Sequence, residues 1–199
     1  MIKVNQILIL VAFLFGSLNS YAQTKDSISK PKASFCSKNE LGGLIGIGRI
    51  KDPNDYVVRN LEWALELTSI NGIRYNPWFV GIGVGIRSWR GGGFGFPLFG
   101  HVSLDLWKTG LFIHGDIGYQ FGIRKNYFGV HETGGFYAAY GLGYNFAIKR
   151  QSLYVKASIC HQKANAEDKY GGLGPSTYQT YNDMDYLFCR ISLGIQFSK

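Results

Sequence analysis

From about residue 40 onward the chain repeats one pattern: apolar side chains at every second position, with glycine, hydroxyl or charged residues between them. A period of two belongs to extended strands whose two faces meet unlike surroundings. Val80, Ile82, Val84 and Ile86 alternate with Gly81, Gly83, Gly85 and Arg87. Leu61, Trp63, Leu65 and Leu67 alternate with Glu62, Ala64, Glu66 and Thr68, and Val102, Leu104 and Leu106 with His101, Ser103, Asp105 and Trp107. The same rhythm returns around Ile113–Phe121, Phe136–Phe146, Leu153–Ile159 and Leu187–Phe197, with a weaker segment at Leu41–Gly48. No useful stretch carries the 3.6-residue period of a helix.

Eight such segments imply an all-β fold. The connections between them also alternate. Tyr75-Asn76-Pro77, Lys108-Thr109-Gly110 and Lys149-Arg150-Gln151 are short turns, whereas 49–60, 90–96, 125–135 and 164–183 are longer links. Short turns on one rim and long loops on the other describe an eight-stranded antiparallel up-and-down transmembrane β-barrel. The high glycine count of 27, an aromatic share of 16% and a charged share of only 17% fit a chain with a large apolar surface.

The first residues read as an address. Lys3 precedes a nine-residue apolar run, Ile7 to Phe15, and Ser20 and Ala22 stand at the −3 and −1 positions of a cleavage site after Ala22. That run is too short to cross roughly 30 Å of hydrocarbon as a helix. Residues 1–22 are therefore expected to be a signal peptide, 23–38 a flexible periplasmic segment, and 39–199 the barrel.

Alternation alone does not say which face is outside, because a secreted lipocalin-like binding barrel has the same period with its apolar side inward. The non-apolar face is small, carrying Gly81, Gly83, Gly85, Gly118, Gly141, Gly143 and Gly194, as the narrow interior of eight strands requires. It also carries both signs of charge. Glu62, Glu66, Asp105 and Asp116 against Arg87, Arg124, Lys156 and Arg190 make a self-neutralising lumen network. On the apolar face, Trp78, Tyr144, Phe146 and Phe197 fall toward the short turns, and Trp63, Tyr119, Phe121 and Phe136 toward the long links. Two aromatic girdles mark two membrane interfaces. Lipid outside is the expectation.

A net charge of +8 invites a nucleic-acid partner, but the basic residues are scattered rather than gathered on one face. Cys36, Cys160 and Cys189 form no CxxC pair. Cys160 falls on the lumen face and Cys189 on the lipid face, so the two should not bridge.

At this level the chain resembles the small outer-membrane β-barrel proteins of Bacteroidetes, PorT-like members included, which share their architecture with OmpX and the OmpA membrane domain. The resemblance rests on Tyr21-Ala22-Gln23, on the run from Leu67 to Pro77, and on Gly81-Ile82-Gly83-Val84-Gly85, Gly118-Tyr119 and Gly141-Leu142-Gly143. Arg190, Ser192, Ile195 and Phe197 are similar to the C-terminal assembly signal read by barrel-insertion machinery, with Ser192 where glycine is usual and Ser198-Lys199 trailing the aromatic. The resemblance implies the cell outer membrane as location. Its partners would be outer-membrane lipid and lipopolysaccharide, the assembly machinery during insertion, and an extracellular or envelope protein.

No enzyme and no cofactor is expected. The glycine runs Gly81–Gly85 and Gly91-Gly92-Gly93 lack the Gly-Lys-Ser/Thr and following helix of a phosphate loop. One enzymatic alternative is a lipid A-modifying hydrolase built on His101-Val102-Ser103, since a serine nucleophile needs a neighbouring base and an orienting acid. Both residues fall on the lumen face, however, out of reach of acyl chains. His101, His114, Asp105 and Asp116 also suggest a metal set, although buried polar partners explain such residues more often. The remaining reading is a structural or interaction protein that meets the outside through its loops. In the longest link Tyr170, Tyr178 and Tyr181 combine contact area with a polar tip.

Overall fold

The computed structural model describes residues 33–51, 57–106, 109–125, 131–148, 151–169 and 178–198. Every regular element among them is a strand: β1 (Ser34–Ile47), β2 (Arg49–Lys51), β3 (Val57–Arg59), β4 (Trp63–Tyr75), β5 (Trp78–Trp89), β6 (Gly93–Asp105), β7 (Leu111–Lys125), β8 (His131–Ile148), β9 (Gln151–Lys169) and β10 (Tyr178–Ser198). Eight of them close into a barrel in the order β1-β10-β9-β8-β7-β6-β5-β4, and β2 pairs with β3 as a separate hairpin. Each barrel strand runs antiparallel to the strand beside it, and β1 seals the sheet against β10 with Leu41 opposite Leu193. Closure leaves no sheet edge along the paired span, so backbone donors and acceptors there are satisfied without water.

The two faces sort as the alternation requires. Along β10, Met184, Tyr186, Phe188, Arg190, Ser192, Gly194 and Gln196 are buried while Leu187, Ile191, Leu193 and Ile195 are exposed. The exposed face carries an apolar band, with Leu41, Leu65, Ile82, Leu98, Ile117, Tyr140, Leu153 and Leu193 all turned out. It is interrupted toward the short turns, where Ser37 and Asn39 of β1 lie opposite Asn71 and Ser69 of β4. Ile82 is 66% exposed and Leu193 65%, values that belong to a surface rather than to a core. The core is the barrel interior.

Glycine lets the strands close on one another at defined points. A Cβ on Gly83 would run into the Phe99 ring, so that ring occupies the space the missing side chain leaves. Gly110 turns the short β6–β7 connection at a φ of 82°, where other residues would be strained.

Two features differ from the sequence expectation. Strand β1 starts at Ser34, so residues 34–38 are barrel wall and not part of a flexible segment. Polar Ser37, Lys38 and Asn39 hide the alternation there, yet pairing of Cys36 with Ser198 and Ser34 with Arg74 gives their backbone a ladder on both sides. The long links are also shorter than expected. The β9–β10 ladder continues to Lys169 opposite Tyr178, β8 starts at His131, and β6 starts at Gly93. Strands β8 to β10 thus stand taller than β4 to β6 at the long-link end.

Candidate site in the barrel interior

The interior is layered. Toward the short turns, Phe79, Phe112 and Tyr154 are buried together, Phe112 meeting Tyr154 edge-on at 5.9 Å between centroids. Lys38 Nζ sits 4.2 Å from the Phe79 centroid and donates to Ser103 Oγ at 3.1 Å. Toward the long links, Trp89, Phe188, Tyr186, Met184, Leu44 and Ala164 form an apolar cluster that also takes Ile50 of β2. Between these layers lies the charge network.

Arg190 is its centre. One guanidinium nitrogen donates to Asp116 Oδ2 at 2.5 Å, and the other to Glu66 Oε1 at 3.2 Å and to the Tyr137 hydroxyl. Arg87 reaches the other oxygen of Glu66 with two donors and bonds Gln120 at 2.5 Å and Gln162 at 2.7 Å. Lys156 pairs with Glu40 at 2.6 Å, and Glu40 also accepts from Tyr154 at 2.8 Å and Thr68 at 3.4 Å. Asp116 Oδ1 receives His101 Nδ1 at 2.5 Å, and His114 Nε2 lies 3.2 Å from Ser158 Oγ. The Arg190 side chain is 0% exposed and that of Glu66 2%, so these charges are removed from solvent and rely on one another.

Of the eight charges expected in the lumen network, Glu66, Arg87, Asp116, Lys156 and Arg190 are brought together. Glu62 is buried just ahead of β4, where its backbone N–H donates to Asn60 Oδ1 at 3.1 Å. Asp105 stands apart at the short-turn rim, bonded to Arg74 at 2.8 Å. The side chain of Arg124 lies outside the described residues, as do Tyr170 and the side chains of Tyr178 and Tyr181. Sequence reasoning missed Glu40, Gln120, Gln162, Tyr137 and Tyr154. Glu40 lies two residues from Gly42 on the same face, so extending β1 toward Ser34 would have found it.

Outside, Trp63, Trp78, Tyr119, Phe121, Phe136, Tyr144 and Phe146 are exposed and Phe197 is half-buried on the same face. Tyr119 packs on Phe121, and Tyr144 on Phe146, at 4.8 Å each. Arg190 and Ser192 point inward and Ile195 outward with Phe197. No disulfide joins Cys36, Cys160 and Cys189. Ser103 is held by Lys38, and His101 by Asp116.

No protein-family model matches this sequence, and no curated protein matches it. Its shape has counterparts among solved structures. The solid-state NMR structure of outer membrane protein AlkL in DMPC lipid bilayers aligns with a TM-score of 0.52 at 9% identity, covering 90% of this chain and 96% of that one. The crystal structure of Neisserial surface protein A (NspA) aligns with a TM-score of 0.52 at 8% identity, covering 83% of this chain and 98% of that one. At such identities the likeness is one of fold.

Proposed function

We propose that the chain is an integral outer-membrane barrel with a structural or interaction role carried by its loops, and that it is neither a wide pore nor an enzyme. The observation that supports this most directly is the inversion of polarity. Soluble proteins keep exposed apolar patches to a few hundred Å², whereas here an apolar band rings the barrel and the charge network is inside. Hydrocarbon is the solvent that such a surface fits, and a signal peptide ending at Ala22 would bring it to that membrane. The taller β8–β10 wall and the long links then face outward from the cell, where an envelope or extracellular protein would be met. Membership of the PorT-like Bacteroidetes barrels is part of this proposal.

The test is partition. Membranes of a producing cell should release the protein only with detergent, and the folded form should migrate differently on a gel before and after boiling. A monomer that stays in buffer without amphiphile would instead favour the lipocalin-like inversion. The hydrolase alternative receives no support from Ser103, which is buried in the lumen beside Lys38 and out of reach of an acyl chain in the bilayer. Ser103→Ala should accordingly leave the lipid A mass spectrum of host membranes unchanged, and loss of a deacylated species would reinstate it.

A further inference from the structure

His101 on β6 and His114 and Asp116 on β7 meet inside the barrel, each offering a ligand atom within 4.8 Å of the other two. Their side chains are at most 1% exposed. The imidazoles stack at 5.9 Å between centroids. His101 Nε2 and His114 Nδ1 are buried without a hydrogen-bond partner among the described residues. His114 Nδ1 lies 4.0 Å from Asp116 Oδ1, beyond hydrogen-bond reach. When His114 Nε2–H donates to Ser158, Nδ1 holds a lone pair that faces a carboxylate oxygen. Two acceptors at that separation are reconciled by a shared cation.

We propose that His101, His114 and Asp116 form a site for one borderline divalent transition ion of the zinc or copper class, held by one nitrogen of each imidazole and by Asp116. The donor set selects the class: two imidazoles and one carboxylate suit zinc and copper, whereas calcium and magnesium require many oxygens. Arg190 at 2.5 Å and Lys156 at 4.0 Å from Asp116 Oδ2 further disfavour a hard cation held by charge alone. Those same neighbours give the site an outer shell. Arg190 fixes the second carboxylate oxygen and Ser158 bonds Nε2 of His114, orienting its ring, the arrangement that positions ligands in metal centres. Tetrahedral ligands stand roughly 3.3 Å apart, so ligand atoms that lie within 4.8 Å of one another have to draw together on binding.

The detergent-solubilised protein is loaded with Co²⁺ or Zn²⁺ both during refolding from urea and after folding, because aromatic layers close the interior at each end. Dialysis and elemental analysis should find about one ion per chain, with the intense visible bands of tetrahedral Co²⁺. Ser158→Ala should weaken binding about 10–100-fold, His114→Gln should abolish it, and His161→Ala, half-buried on the outer face, should leave it unchanged. Absence of ion under both loadings overturns the proposal. So does equal binding by His114→Gln, which would put the ion on the surface. Should that variant fail to show the folded gel mobility, pulsed EPR of the Cu²⁺-loaded native chain decides: two imidazoles support the site, and one or none overturns it.

Discussion

Arg190 shows how much rests on single side chains in a lumen of this width. Its guanidinium is fully buried and serves Asp116, Glu66 and Tyr137 at once. Arg190→Met removes the cation while keeping an unbranched apolar stem, and leaves two carboxylates sharing Arg87, Lys156 and His101. Breaking a buried pair from one side costs about 3–5 kcal/mol, to be read as an earlier midpoint in urea unfolding from lipid vesicles. Adding Asp116→Asn should recover part of that loss, because the orphaned charge goes with it. An additive double variant would show that the two residues do not interact. The sequence disclosed these residues by parity: charge on the glycine-bearing face means charge inside. It did not disclose who pairs with whom. Asp105 and Asp116 are equivalent by pattern, yet one joins Arg74 at the rim and the other Arg190 in the middle, because partners are set by strand stagger round a closed sheet.

At the scale of the strand, legibility depended on contrast between faces. β5 and β10 declare themselves, since each apolar residue is followed by glycine, charge or hydroxyl along most of their length. β1 does not, because Ser34, Ser37, Lys38 and Asn39 put polar groups on both sides, and only its ladders with β4 and β10 reveal where it starts. Links were overestimated for a related reason: His131 to Thr133 and Asn165 to Lys169 carry little apolar signal, while their backbones still pair. The apolar face itself makes a directional prediction. Leu193 stands opposite Leu41, at the middle of β1, and opposite Val155, and is 65% exposed. Leu193→Arg should destabilise the inserted barrel by about 2–4 kcal/mol, and an arginine at Phe197, near the strand end, by about 0–1. Reversible unfolding in vesicles measures both. Equal costs at the two depths would mean that water, not hydrocarbon, contacts that face.

For the whole molecule the decisive quantity is what remains of the lumen once eight strands have closed. Barrels of this size enclose just enough space for side chains, and here that space is taken by three layers in succession: Phe79, Phe112 and Tyr154, then the Arg190–Glu66–Arg87 network, then Trp89, Phe188 and Tyr186. An ion crossing from rim to rim would have to displace two aromatic layers and part a salt-bridge network, and no one side chain opens the path alone. The protein reconstituted in planar bilayers should therefore add no stepwise conductance above the bare membrane in salt at either polarity. Steps of porin size would require the layers to separate or several copies to enclose a common pore. Small steps appearing only after Arg190→Met would mean instead that the charged middle layer is what holds the interior shut.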